Sequence, residues 1–278
     1  MTYRTIYINK EILPSNFKSM IFFLQELKLR NETLFYFGWI CFIAALSFLL
    51  LTKVLSTKIL GVNAWIKPFK FSASTTVYAW AMAWYCSYLP EFNASLFNWS
   101  VIVLLGFEIV YIAIQSARGQ LSHFNQTTPL YTLLYALMAI AATSVSIYTA
   151  YIGILFCVYT FLNLPNYYLW SIRFGILIFV VFAFEGFVMG GRLTHIIGGE
   201  MNGDGIPILN WSTKFGDPRV AHFIGMHALQ VLPLLSYFVF KNTVLVFIFS
   251  FLYGALAVYT LRQALKGKPF YKFNATSI

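Results

Sequence analysis

The chain has 278 residues, of which 59% are hydrophobic, 19% aromatic and only 10% charged, and its mean hydropathy is +0.72. A soluble domain carries about 25% charged residues, so this chain lacks the charge to cover a water-exposed surface. That composition excludes a cytosolic enzyme, a nucleic-acid-binding domain, a disordered chain and a disulfide-stapled secreted module, and predicts an all-α, polytopic integral membrane helix bundle.

Residues 1–33 mix Lys10, Lys18, Lys28 and Arg30 with Phe17, Met20, Phe22 and Phe23, a pattern expected of an amphipathic segment lying on a membrane. No cleavable signal peptide is visible. A bilayer crossing needs about 20 apolar residues. Seven runs meet that demand: Leu34–Leu51, Phe69–Leu89, Phe97–Gln115, Pro129–Leu164, Tyr167–Gly190, Val220–Phe240 and Thr243–Leu261. The fourth would reach about 54 Å as one helix. Two crossings would use nearly all of it and leave almost nothing for a turn. One long, tilted or protruding helix, kinked near Gly153, is therefore expected, with eight crossings as the alternative. The bundle is placed at 34–264, with a polar loop at 191–219 and a basic tail at 265–278.

The formal net charge is +10. Between apolar runs, positive charges set topology and meet anionic headgroups. With seven crossings, Lys53, Lys58, Lys67, Arg118, Arg192, Lys214, Arg219 and the tail lysines share one face, here called face B. Face A holds little between its crossings besides Lys241 and Arg173, although the basic N-terminal segment also falls there. Face B is expected to be cytoplasmic, in a bacterial inner membrane. Cys41, Cys86 and Cys157 lie inside apolar runs and read as small core residues without a redox or zinc role.

Polar chemistry gathers on face B. All four histidines, His123, His195, His222 and His227, fall in its loops or in the first turns of the helix that leaves it. Glu108 and Glu185 lie inside crossings on the same half of the bilayer. A carboxyl group in hydrocarbon is costly enough to be a catalytic candidate, or else a hydrogen-bonded link between helices. Lys67, Lys70, Arg118, Arg192 and Arg219 are candidates to ring an anionic group at headgroup level. The plainer alternative is topology setting and snorkelling.

Three segments carry a resemblance: W-I-K-P-F-K-F at Trp65–Phe71, R-G-Q-L-S-H-F-N at Arg118–Asn125, and G-D-P-R-V-A-H-F-I-G-M-H-A-L-Q-V-L-P-L at Gly216–Leu234. They resemble a family of uncharacterised bacterial polytopic membrane proteins. The likeness runs from the first crossing to the last. It implies the membrane fold, singles out His123, His222, His227 and Gln230, and supplies no reaction.

Imidazoles near a membrane surface can ligate haem iron or a divalent metal. Haem b would need ligands on facing elements, such as His227 with His123 or His195, and the basic residues would meet its propionates. Gln230 joins the basic set as a cofactor contact. A non-haem site would combine His123, His195 and one of His222 or His227 with Glu185 or Asp204. His222 and His227 are five apart, about 140° around a helix, and are not expected to reach one site together. Simple hydrogen bonding of the imidazoles to loop backbone is the alternative, and no bound cofactor at all remains open.

Calcium is rejected at Glu200–Trp211, because position 12 of the loop is Trp211 and Pro207 interrupts it. A glycine-rich lid at Gly198–Gly205 is a further expectation. Nucleophile-elbow, phosphate-loop and H-E-x-x-H motifs are missing. The functional expectation is a membrane redox protein carrying haem b. The alternatives are a metal- or acid–base-dependent enzyme acting on a lipid or isoprenoid, a transporter, or a non-catalytic membrane factor. Expected partners are the bilayer and a hydrophobic or anionic small molecule, not nucleic acid.

Overall fold

The computed structural model describes residues 16–89, 91–201 and 205–271, with side chains from Met20 onward. Helix α1 (Asn16–Arg30) leads through the single residue Asn31 into α2 (Glu32–Val54). A two-residue hairpin, β1 (Lys58–Ile59) with β2 (Val62–Asn63), precedes α3 (Ile66–Cys86). Helices α4 (Ala94–Ala117), α5 (Pro129–Val158), α6 (Asn166–Arg192), α7 (Arg219–Leu235) and α8 (Thr243–Leu265) follow.

Helix starts obey local chemistry. Asn31, Asn93, Thr128 and Asn242 each accept a hydrogen bond from the backbone N–H three residues on, and Pro129 occupies the first turn of α5. These side chains satisfy N–H groups that a helix start leaves without intrahelical partners.

Six helices are long and apolar enough to cross a bilayer: α2, α4, α5, α6, α7 with its extension, and α8. The 21-residue α3 is less apolar because Lys67, Lys70 and a run of Ser and Thr open it. Its direction follows from its neighbours. Asn31, at the start of α2, exchanges side-chain hydrogen bonds with Asn98, near the start of α4. At the other end, Ser116 Oγ of α4 donates to the Ala64 carbonyl, just after the hairpin that follows α2. Helices α2 and α4 thus run parallel, and α3 must return between them, making a seventh crossing of the bundle. The protein is a multi-pass helical membrane protein.

Helix α5 is single and unbroken through Gly153, so the two-crossing alternative fails. It stops at Val158 and not at Leu164: Tyr159 turns to extended backbone, and Thr160 and Asn163 interrupt the apolar run that follows. The missing Cβ at Gly153 admits Ile176 of α6, whose Cγ2 lies 2.7 Å from where that carbon would stand. Helices α6 and α7 share the largest interface. Phe182 rests on Gly225, and Gly175 meets the Ala228 carbonyl. Small residues of this kind let membrane helices approach, since lipid removes the hydrophobic drive between them. Pro233 lies within α7, and the helix widens into a π-helical turn at Ser236–Phe240, a usual consequence of a proline that removes a backbone donor.

The N-terminal segment departs from a purely surface-lying one. Its described part docks on α2 and α3, with Leu27 fully buried. Arg30 donates to Glu26 and Ser87 at 2.9 Å each and lies over the Trp84 ring. Residues 1–15 lie outside the described residues. Cys157 is exposed, unlike Cys41 and Cys86, and so is not a core residue.

A candidate amphiphile cavity on face B

A cavity of about 560 Å³ opens among α3, α4, α5, α6 and α7 at their face B ends. Along α3 its wall runs from Ile66 to Tyr78, about 18 Å of helix rise and more than half of a hydrocarbon core of ~30 Å. The hairpin, the 118–128 connection and the long loop between α6 and α7 complete the mouth. The lower wall is apolar, formed by residues such as Met138, Ala142, Phe179 and Met226. Tyr78 closes it, with its hydroxyl 2.7 Å from that of Thr149.

Lys67, Lys70, Arg219, Gln230 and all four histidines line this one cavity, as does Glu108. Helix α7 explains part of this convergence. Arg219, Phe223, Met226 and Gln230 follow the 3–4 spacing of one helix face. His222 and His227 flank that stripe at different depths, so both reach the cavity despite their angular separation.

The rest of the set is not gathered. Arg118 is exposed and lies over the Tyr131 ring, and Arg192 is exposed at the end of α6. Neither lines the cavity, so the ring of five cations reduces to Lys67, Lys70 and Arg219. Glu185 does not line it either. It stands behind His222 on α6, with Oε2 3.4 Å from Nδ1 but not aligned for a hydrogen bond. Among the described residues, no three His, Cys, Asp or Glu side chains approach closely enough to hold a metal ion. A four-histidine metal centre is therefore not formed, because the imidazoles are spread along the wall. Asp204, a candidate ligand, lies outside the described residues.

Each imidazole has a distinct setting. His123 packs between Phe71, Phe124 and Tyr135, with Nδ1 3.3 Å from Ser122 Oγ. His195 stacks on Phe124. His227 lies edge-on to Phe223 and pairs through Nδ1 with Gln230 at 3.3 Å, while Gln230 donates to the Val77 carbonyl. Burial, and then Lys67 and His195, hold His123 well below the ordinary imidazole pKa. Burial, and then Arg219, lower His195 to about 3. Both loop imidazoles are therefore neutral at pH 7, which leaves the Arg219 guanidinium as the firm cation of the mouth, with Lys67 and Lys70 beside it.

The mouth is latched. Lys70 Nζ donates to the Leu209 carbonyl at 3.0 Å, and Arg219 donates to the Asn210 carbonyl. Asp217 organises this corner. It accepts from the Ser212 and Arg219 backbone N–H groups and pairs with the Arg219 guanidinium at 2.6 and 2.9 Å. The loop also folds on itself through an Ile197–Gly216 bridge. Gly216 is required there, because a Cβ would strike the Ala264 carbonyl of α8. His195, Glu200 and Trp211 of this loop line the mouth, while residues 202–204 of the glycine-rich segment lie outside the described residues.

Lys67 is different. It lines the cavity and makes no hydrogen bond or ion pair with a described residue. Sequence reasoning passed over Asp217 and Tyr78. Asp217 was detectable, since Asp-Pro directly before an apolar-periodic segment marks a helix start. Tyr78 carried no signal, as one tyrosine among 18. No family model, curated protein or solved structure matches the chain.

Proposed function

We propose that this membrane protein takes up one amphiphilic, anionic molecule in the face B cavity. Its head sits against Lys67, with Lys70 and Arg219 adjacent, and its apolar body runs down toward Tyr78. The observation that carries this reading is the union of Lys67, whose amine has no hydrogen-bond or ion-pair partner among the described residues, with a largely apolar cavity of about 560 Å³. Volume of this size suits a drug-sized or single-chain lipid ligand. The start of α3 has no side-chain cap, and its opening residues Ile66, Lys67 and Lys70 line the same mouth. A cation in the first turn opposes the helix dipole, and an anion bound there would relieve both.

Haem b belongs to the same chemical class, with two carboxylates on an apolar body. The Nε2 atoms of His123 and His227 make no hydrogen bond among the described residues, which suits this narrower version. His222, backed by Glu185, would be placed to exchange a proton with the occupant one turn below the cations.

The test uses protein purified in mild detergent. Native mass spectrometry and an absorption spectrum report on what co-purifies: a Soret band assigns haem, and a lipid mass adduct without one assigns a lipid. Titration with stearate should then show saturable one-to-one binding, weakened about tenfold in Lys67→Met/Lys70→Met. No saturable binding of stearate or of haemin by the folded protein overturns the proposal.

A further inference from the structure

The cavity has a second polar level that a plain fatty acid would leave unused. Glu108 lines the shaft and is only 6% exposed, and its Oε1 has no hydrogen-bond partner among the described residues. Its cavity-lining neighbours on α4, Leu105 and Ile109, are apolar, as are Met138 and Ala142 across from it on α5. No cation comes within ion-pair distance of it in the described residues. Inside a bilayer, water is not at hand to satisfy such an atom, and leaving it unmade is expensive.

Depth distinguishes this level from the mouth. Ser116, level with Ala64 just before α3, is eight residues beyond Glu108, so Glu108 lies about 12 Å below that level. Lys67 and Lys70 lie one and four residues into α3, or about 2–6 Å down. The two levels are thus about 6–10 Å apart. His227 is eight residues from Arg219 and also about 12 Å down its helix. Its Nδ1 is held by Gln230, which leaves the rest of the ring edge to the cavity. An acceptor on α4 and an imidazole on α7 therefore share a depth in a shaft whose other polar lining includes the hydroxyls of Ser74, Thr75, Thr143 and Ser146 and the amide of Gln230.

We infer that the cavity's ligand carries a hydrogen-bond donor, such as a hydroxyl or amide N–H, in the middle of its apolar body, and that Glu108 accepts from it beside His227. This rests on the reading that the cavity holds an anionic amphiphile, and it narrows that class. Chains functionalised several carbons from the head are favoured over unsubstituted fatty acids, which still bind but leave Glu108 without a partner.

The experiment is calorimetric titration of the purified full chain with stearate and with 10-hydroxystearate, which differ only in a mid-chain hydroxyl. In the wild type the hydroxy acid should bind about tenfold more tightly, the usual effect of one hydrogen bond to a charged or strongly polar group. Glu108→Leu should bind both acids equally. Glu108→Gln, whose amide oxygen still accepts, should keep part of the preference. Equal binding of both acids by the wild type, or a preference that survives Glu108→Leu, overturns this inference and leaves the amphiphile site standing. Binding of neither acid overturns both.

Discussion

The two ends of the bundle handle buried polar groups in opposite ways. At face A, Asn31 and Asn98 exchange two hydrogen bonds at 2.9 Å, and Arg30 is shared among Glu26, Ser87 and the rings of Trp84 and Tyr88. At face B, Glu108, Glu185 and His222 hold buried atoms without hydrogen bonds among the described residues, and Lys67 makes no hydrogen bond or ion pair among them. Paired groups join α1, α2, α3 and α4, while unpaired groups surround a cavity. A buried polar atom that the fold does not satisfy was not placed there for stability. The comparison teaches that the unsatisfied end is the working end.

The largest effect should come from the Asp217 corner of face B, where a buried carboxylate is fully engaged. Asp217→Ala strips Arg219 of its partner and the loop of two N–H contacts, and should cost about 3 kcal/mol, discounted from the fully buried case because Arg219 is 24% exposed. Thermal unfolding in detergent reads this directly. A loss under 1 kcal/mol would mean that the corner is not what holds the loop. At face A, Asn98→Leu leaves Asn31 half-satisfied and should cost about 2 kcal/mol. Glu108→Gln at face B should stay within about 0.5 kcal/mol. Equal losses for Asn98→Leu and Glu108→Gln would abolish the contrast between the ends.

Filling the shaft sharpens the contrast differently. Ala142→Trp sends a ring into the face B cavity from a residue that packs little, so stearate affinity should fall at least about tenfold while the melting temperature holds. If binding persists, the ligand lies elsewhere.

Acid should also act on face B. An unfolded histidine takes a proton near pH 6.5, whereas His195 in place does so only at about 3, and His123 is likewise held down. Between those values the unfolded chain binds protons that the native chain does not. Stability is therefore complete above about pH 6.5 and declines as pH falls toward 3. The melting temperature should drop between pH 7.5 and pH 5, and His195→Gln should shrink that drop. An unchanged pH dependence in that variant would show that its burial is not what acid opposes.

The membrane class and the long apolar helices of the bundle were readable along the chain, because a bilayer imposes a length and a hydropathy that each segment must meet alone. Helix starts at Asn31, Asn93, Thr128 and Asn242 were equally local matters. What no linear reading could decide was which members of the polar pool meet. Arg118 and Arg192 share their face with Lys67 and Arg219, yet they point to the outside, since a residue's angular position on a helix has no meaning until its neighbours are placed. Glu108 and His227 are more than 100 residues apart, and only the packing of α4, α5 and α7 brings them to one depth. The end of α5 at Val158 and the pairing of Glu185 with His222 belong to the same category: they follow from side chains finding, or failing to find, partners across helices, and the order of residues does not encode that distance.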